Sequence, residues 1–94
     1  MRVVSIRHKA PQRLWSRNDP RGLPPDQVKR VQLALAALAA ARNIRMLPSV
    51  PGWRLHELKG ARAGAWSMSI SGNWRLTFRL EKESIHDIDL EDYH

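Results

Sequence analysis

Seven polar side chains in the second half of the 94-residue sequence are of the types that acid–base and phosphate chemistry uses. Cleaving RNA without a metal ion needs a base for the ribose 2′-OH, cations for the charge that grows on the phosphorane, and an acid for the departing 5′-oxygen. Histidine suits both proton transfers because its pKa lies near neutral pH, and arginine and lysine suit the charge. The seven residues are His56 and Lys59, Arg75 and Arg79, and the consecutive Asp92, Tyr93 and His94.

Strands must position these groups, because apolar and polar residues alternate through residues 66–80. The alternation is broken only by Gly72 and Asn73, a pair typical of tight turns. This pattern predicts a β-hairpin with one buried face, which includes Trp66 and Trp74, and one solvent face rich in serine and arginine. The partner strands are predicted at residues 55–59 and 85–91.

One short strand and one helix are predicted at the beginning of the sequence. Residues 3–6 are mostly β-branched and predict the strand. Residues 8–17 predict the helix, with Leu14 and Trp15 turned inward. A turn is then expected at residues 19–22, which contain proline and glycine.

A second helix is predicted from Pro24, Pro25 and Asp26 to about Arg42, since proline and an acidic residue both favour the first turn of a helix. The order β-α-α-β-β-β-β predicts an α+β fold, in which an antiparallel sheet of four to five strands carries both helices on one face. The apolar stripe of the second helix consists of Val28, Val31, Leu35 and Leu38.

Size and composition indicate one domain over residues 1–94, because two cores would each be too thin in so short a chain. The sequence has no cysteine, so neither a disulfide nor a thiolate zinc site is expected. No apolar signal segment is apparent near Met1. The longest charge-free apolar-rich run, residues 31–41, is too short to span a bilayer. We therefore expect a soluble, cytoplasmic protein.

The net charge of +7 is unevenly distributed. Residues 81–94 contain six of the nine acidic residues, so residues 1–80 alone carry +12. Twelve of the sixteen basic residues are arginine, which binds phosphate with paired hydrogen bonds. This distribution favours a polyanionic partner, above all nucleic acid. A solvated basic surface and a surface for an acidic protein are the alternatives.

Several spaced motifs together resemble the HigB toxins of the RelE superfamily. They occur in the same order as in that family and span nearly the whole chain. Shorter matches are found at residues 6–9 and 22–24. The main segments are residues 53–60 (WRLHELKG), 65–67 (AWS), 71–79 (SGNWRLTFR) and 91–94 (EDYH).

The resemblance implies a RelE-like fold and a ribosome-dependent endoribonuclease that cleaves mRNA in the ribosomal A site. It implies no cofactor. It also implies a helix-turn-helix antitoxin of the HigA type as partner, through which alone the toxin would reach operator DNA. We therefore expect the bacterial ribosome and mRNA as further partners, and no membrane.

Roles for six of the seven residues follow from the same resemblance, whereas Arg79 is a candidate from its place on the predicted solvent face. His56 matches a proton-transfer residue, Lys59 and Arg75 match ligands of the scissile phosphate, and Arg79 is a further candidate for RNA binding. Asp92, Tyr93 and His94 match a C-terminal catalytic triplet. In that triplet Asp92 would orient a histidine, Tyr93 would stack on a base or hold the phosphate, and His94 would carry a second proton. Which histidine is the base stays open. Folding should bring His94 to the phosphodiester that the other groups address.

Two other kinds of protein are compatible with the sequence. One is a non-enzymatic toxin on the same fold, like the gyrase-inhibiting ParE relatives. The other is a basic nucleic-acid-binding module. Proton-transfer groups at positions 56 and 92–94 disfavour the non-enzymatic toxin, because a simple binder does not need them.

The acidic final segment contains potential metal ligands, but a metal site is not expected there. In regular alternation His86 falls on the opposite face of the strand from Asp87 and Asp89, so these side chains could converge on one ion only through a bulge. The potential ligands are His86, Asp87, Asp89, Asp92 and His94.

Overall fold

The computed structural model describes residues 1–47 and 52–92. Within these residues two α-helices and five β-strands form one layered unit. The helices are α1 (Lys9–Arg17) and α2 (Val28–Ala40), and the strands are β1 (Arg2–Val3), β2 (His56–Glu57), β3 (Ala65–Ser71), β4 (Trp74–Glu81) and β5 (Ser84–Asp92).

The five strands form a single mixed sheet in the order β1-β5-β4-β3-β2. Strands β2 to β5 pair antiparallel, as expected for consecutive hairpins. Strand β1 pairs parallel with β5, and an isolated bridge between Ile6 and Ile88 extends this pairing. The predicted α+β arrangement is confirmed, with this one parallel pair added. Alternation along a strand does not reveal the direction of a neighbour so distant in sequence.

Helix α1 is short, and the residues that flank it fix where it begins and where it ends. The Ala10 amide donates to Nδ1 of His8, 3.1 Å away, which caps the first turn. Asn18 ends the helix in the left-handed conformation (φ 55°). Leu14 is buried as predicted, but Trp15 is 43% exposed, so its predicted inward orientation is wrong. The buried stripe of α1 consists of Ala10, Pro11 and Leu14, and Trp15, about 100° round the helix from Leu14, lies outside it.

Helix α2 carries the main apolar contact with the sheet. Val31, Leu35 and Leu38 are completely buried, and Val28 packs at the margin of the same core. The predicted stripe is therefore confirmed. The facing core residues of the sheet include Met68, Leu76, Phe78, Ile85 and Ile88.

The hairpin of β3 and β4 is formed as predicted, with Trp66 and Trp74 packed against the core. Its predicted solvent face is wrong at Ser67 and Thr77, which are buried. On the other face of the sheet, Ser69 of β3, Arg75 of β4 and Glu91 of β5 lie side by side. A bulge interrupts the alternation in β5. Arg79 therefore pairs with His86, and Asp87 adopts a left-handed conformation (φ 54°).

Candidate active site

His56 lies on the edge strand of the sheet. Strand β2 is shorter than the predicted strand 55–59: Arg54 adopts a left-handed conformation (φ 47°) just before it, and Lys59 already precedes the 3₁₀ turn Gly60–Arg62. Hydrogen bonds on both sides still attach the segment to β3: the Ser69 amide donates to Trp53 (2.6 Å), and the Leu58 amide donates to Ala65 (2.8 Å).

The hydrogen bond of the His56 ring defines its tautomer. Nδ1 lies 2.7 Å from the Arg54 carbonyl oxygen. A carbonyl oxygen can only accept, so Nδ1 must carry the hydrogen. In the neutral ring Nε2 then holds the lone pair, and the side chain is exposed. This is the state in which a histidine can take up a proton.

A cleft of about 270 Å³ lies beside this edge, and three of the predicted site residues line it. Lys59 directly precedes the 3₁₀ turn Gly60–Arg62, Arg75 lies in β4, and Asp92 is the last residue of β5. His56 does not line the cleft. The complete lining is Leu58, Lys59, Arg62, Arg75, Thr77, Glu91 and Asp92.

Two residues of this cleft, Arg62 and Glu91, were given no role by sequence reasoning. The Arg62 guanidinium forks onto the Glu91 carboxylate, with Nη1–Oε1 at 3.1 Å and Nη2–Oε2 at 2.7 Å. The Thr77 hydroxyl donates to the same carboxylate. The hydrogen bond from Arg62 lowers the pKa of Glu91 below its usual value, and the bond from Thr77 contributes. The pKa of Arg62 is raised in turn.

Arg79 lies outside this cleft. It lines a second cleft of about 200 Å³ together with Arg7, Asp87 and Asp89. Arg62 and Glu91 line both clefts, so their ion pair lies between them. The carboxylate of Asp87 is 3.7 Å from the Arg7 guanidinium. Arg79 is therefore separated from Lys59 and Arg75, and its role in RNA binding stays a prediction.

Tyr93 and His94 lie outside the described residues, so their predicted roles stay predictions. Among residues 1–47 and 52–92, no group of three or more His, Asp or Glu side chains is close enough together to hold a metal ion. None of the helices described is long and apolar enough to cross a membrane.

A five-stranded sheet backed by two helices, with a small basic cleft beside its edge strand, defines an α+β protein of the RelE-like class. Residues 4–94 match the model of the HigB-like toxins, described as RelE-like toxins of the type II toxin–antitoxin system HigB. The chain is 34% identical over 92 residues to the Endoribonuclease HigB of Proteus vulgaris, covering 98% of this chain and 99% of the relative. The chain belongs to the HigB-like toxin family. This confirms the resemblance found in the sequence, and membership implies an antitoxin partner.

Proposed function

We propose that this chain is an endoribonuclease that cuts mRNA in the ribosomal A site and thereby arrests translation. The observation that carries the proposal is the convergence of Lys59, Arg75 and Asp92 on one cleft, beside the edge strand that holds His56. The family match and the printed activity of the Proteus vulgaris relative agree with it.

The charges in the cleft favour a phosphate group. Glu91 is already paired with Arg62, so its negative charge is largely compensated. Lys59 and Arg75 then provide two cations for the oxygens of a scissile phosphodiester. Because the phosphorane carries more negative charge than the ground state, these cations would stabilise the transition state more strongly than the bound RNA.

The tautomer of His56 supports a role as the general base. Its Nε2 would take the proton of the ribose 2′-OH, and the 2′-oxygen would attack the phosphorus. The bond to the 5′-oxygen then breaks and leaves a 2′,3′-cyclic phosphate. The acid that protonates the 5′-oxygen would be His94, with Asp92 and Tyr93 holding the histidine and the phosphate.

The cleft is small, which favours help from a larger partner in positioning the RNA. A space of about 270 Å³ holds little more than one nucleotide's phosphate and sugar. The ribosome would supply the remaining orientation by presenting a codon in its A site. A HigA-type helix-turn-helix antitoxin would restrain the toxin and carry it to operator DNA, and the basic surface would attract an acidic partner.

Cleavage assays on translating ribosomes test this function. We expect the wild-type chain to cut mRNA there, Arg75→Ala to slow the cut about 10²-fold or more, and His94→Ala to abolish it. Arg21→Ala is the matched control, since Arg21 is an exposed arginine that lines neither of the two clefts. Equal cutting of naked RNA by wild type and His94→Ala would contradict the proposal.

A further inference from the structure

The turn that follows Lys59 has little apolar contact with the rest of the molecule. Gly60 and Gly64 bound it, both at positive φ (70° and 91°), and Ala61, Arg62 and Ala63 between them are exposed. A segment of two glycines and two exposed alanines has no side chain that could anchor it by burial. Its position must therefore depend on polar contacts.

The Arg62–Glu91 pair is such a contact, and it joins three elements. Arg62 ends the 3₁₀ turn, Glu91 lies near the end of β5, and Thr77 is buried in the middle of β4. Both guanidinium hydrogen bonds form a fork on one carboxylate, which fixes direction as well as distance. The carboxylate is in turn held by the Thr77 hydroxyl.

Each end of this contact is adjacent to a residue of the site. Lys59 directly precedes the turn that contains Arg62, and Asp92 directly follows Glu91. Arg75 is the cross-strand neighbour of Glu91, and its charge also lowers the pKa of that carboxyl group.

We propose that Arg62 is a positioning residue for the cleavage reaction. Through Glu91 it holds the Lys59 turn and the Asp92 strand end together. This inference rests on the proposed function. It differs from direct RNA binding by Arg62, because the guanidinium already donates two hydrogen bonds within the protein.

Single-turnover cleavage of ribosome-bound mRNA separates these roles. We expect Arg62→Ala to lower the rate at saturating toxin about 10- to 100-fold, while the half-saturating concentration changes less than about threefold. The dependence of binding on salt should stay as in wild type, because no phosphate contact is lost. Arg62→Lys should recover part of the rate, since it keeps the charge without the fork.

Two further variants test the mechanism. Glu91→Gln should slow cleavage to a similar extent. The double variant Arg62→Ala/Glu91→Gln should be no slower than Arg62→Ala, because both changes break the same contact. The matched control is Arg21→Ala, which removes a similar forked pair, with Asp19, in a turn that lines neither cleft. It should leave the rate unchanged.

Several results would overturn the inference. Wild-type cleavage rates in Arg62→Ala would do so. So would a raised half-saturating concentration with a weaker salt dependence, which is the result expected of a phosphate ligand. Loss of the folded state in both Arg62→Ala and Glu91→Gln, seen in thermal melts, would show a structural role instead. A wild-type chain that cuts no RNA would overturn the proposed function itself, whereas a fully active Arg62→Ala beside an active wild type overturns this inference alone.

Discussion

Among the described residues, the ring of His56 has a hydrogen-bond partner at Nδ1 and none at Nε2. Its Nδ1 donates to the Arg54 carbonyl, whose position depends on the left-handed conformation of Arg54. The backbone therefore selects the tautomer, and Nε2 is left to act on a substrate. A general base needs this arrangement, in which one hydrogen bond orients the ring and the other nitrogen is accessible.

Replacing His56 tests this role. We expect His56→Ala to slow cleavage about 10²- to 10⁴-fold, the range typical of an acid–base group. The free energy of unfolding should change by less than about 0.5 kcal/mol because the side chain is exposed. His86→Ala is the matched control, since it removes a histidine three strands away, about 14 Å across the sheet. Equal losses in the two variants would contradict the role.

Glu91 makes a prediction about acid stability. Its pKa is lower in the folded protein than in the unfolded chain, chiefly because Arg62 donates to the carboxylate. The group therefore adds stability above the unfolded pKa of about 4.5, and this contribution is lost as the pH falls through the lower folded pKa. In Glu91→Gln, which does not titrate, the melting temperature should fall less between pH 6 and pH 3. Asp19, whose pKa is lowered to about 2 beside Arg21, is present in both proteins and cancels in the comparison. Identical pH profiles would contradict this account.

Residue types together with the family motif indicated part of the site. Lys59, Arg75 and Asp92 were selected for their chemistry and for the family motif, and they share a cleft. Arg62 could not be found in this way, because it is one of twelve arginines and its partner lies 29 residues further along the chain. A signal did exist for Glu91, which follows the solvent-face alternation of β5 to a position opposite Arg75.

At the scale of elements, periodicity predicted the long elements well and the short ones less well. Helix α2 buries its predicted stripe because thirteen residues give enough turns to define a face. Strand β2 begins only after the left-handed Arg54 and ends before the 3₁₀ turn, and β5 contains a bulge at Asp87. Neither left-handed residue is a glycine, and the mild preference of aspartate for this conformation does not locate a bulge.

The turn between the two helices depends on a single glycine. Gly22 adopts φ 91°, and a Cβ there would lie 3.2 Å from Cβ of Ala10 and 2.9 Å from Nη2 of Arg13. We expect Gly22→Ala to lower the free energy of unfolding by about 1–3 kcal/mol, measured by chemical denaturation. Gly64→Ala is the control, because Gly64 has the same φ with no atom within 4 Å of the added Cβ. The difference between the two variants measures the crowding at Gly22, and an equal or larger loss in Gly64→Ala would contradict it.

At the scale of the whole molecule, the fold separates the apolar core from the charged clefts. Helices α1 and α2 with the core fix one face of the sheet, while the other face carries two clefts lined by arginines and by the acidic residues of β5. The acidic residues of β5 moderate the repulsion among these cations, as the Arg62–Glu91 and Arg7–Asp87 pairs show. In the proposed function, the net charge of +7 would attract the toxin to RNA and to the ribosome.

Mapping the 5′ ends of cellular mRNA after brief induction tests the central claim most directly. The wild-type chain should produce new ends at a fixed position within codons of translated messages, because in the proposed function the ribosome would present the RNA to the cleft one codon at a time. The double variant Lys59→Ala/Arg75→Ala, which lacks both cations for the phosphate, should produce none. Growth arrest by wild type without such ends, or the same ends from the double variant, would contradict the account.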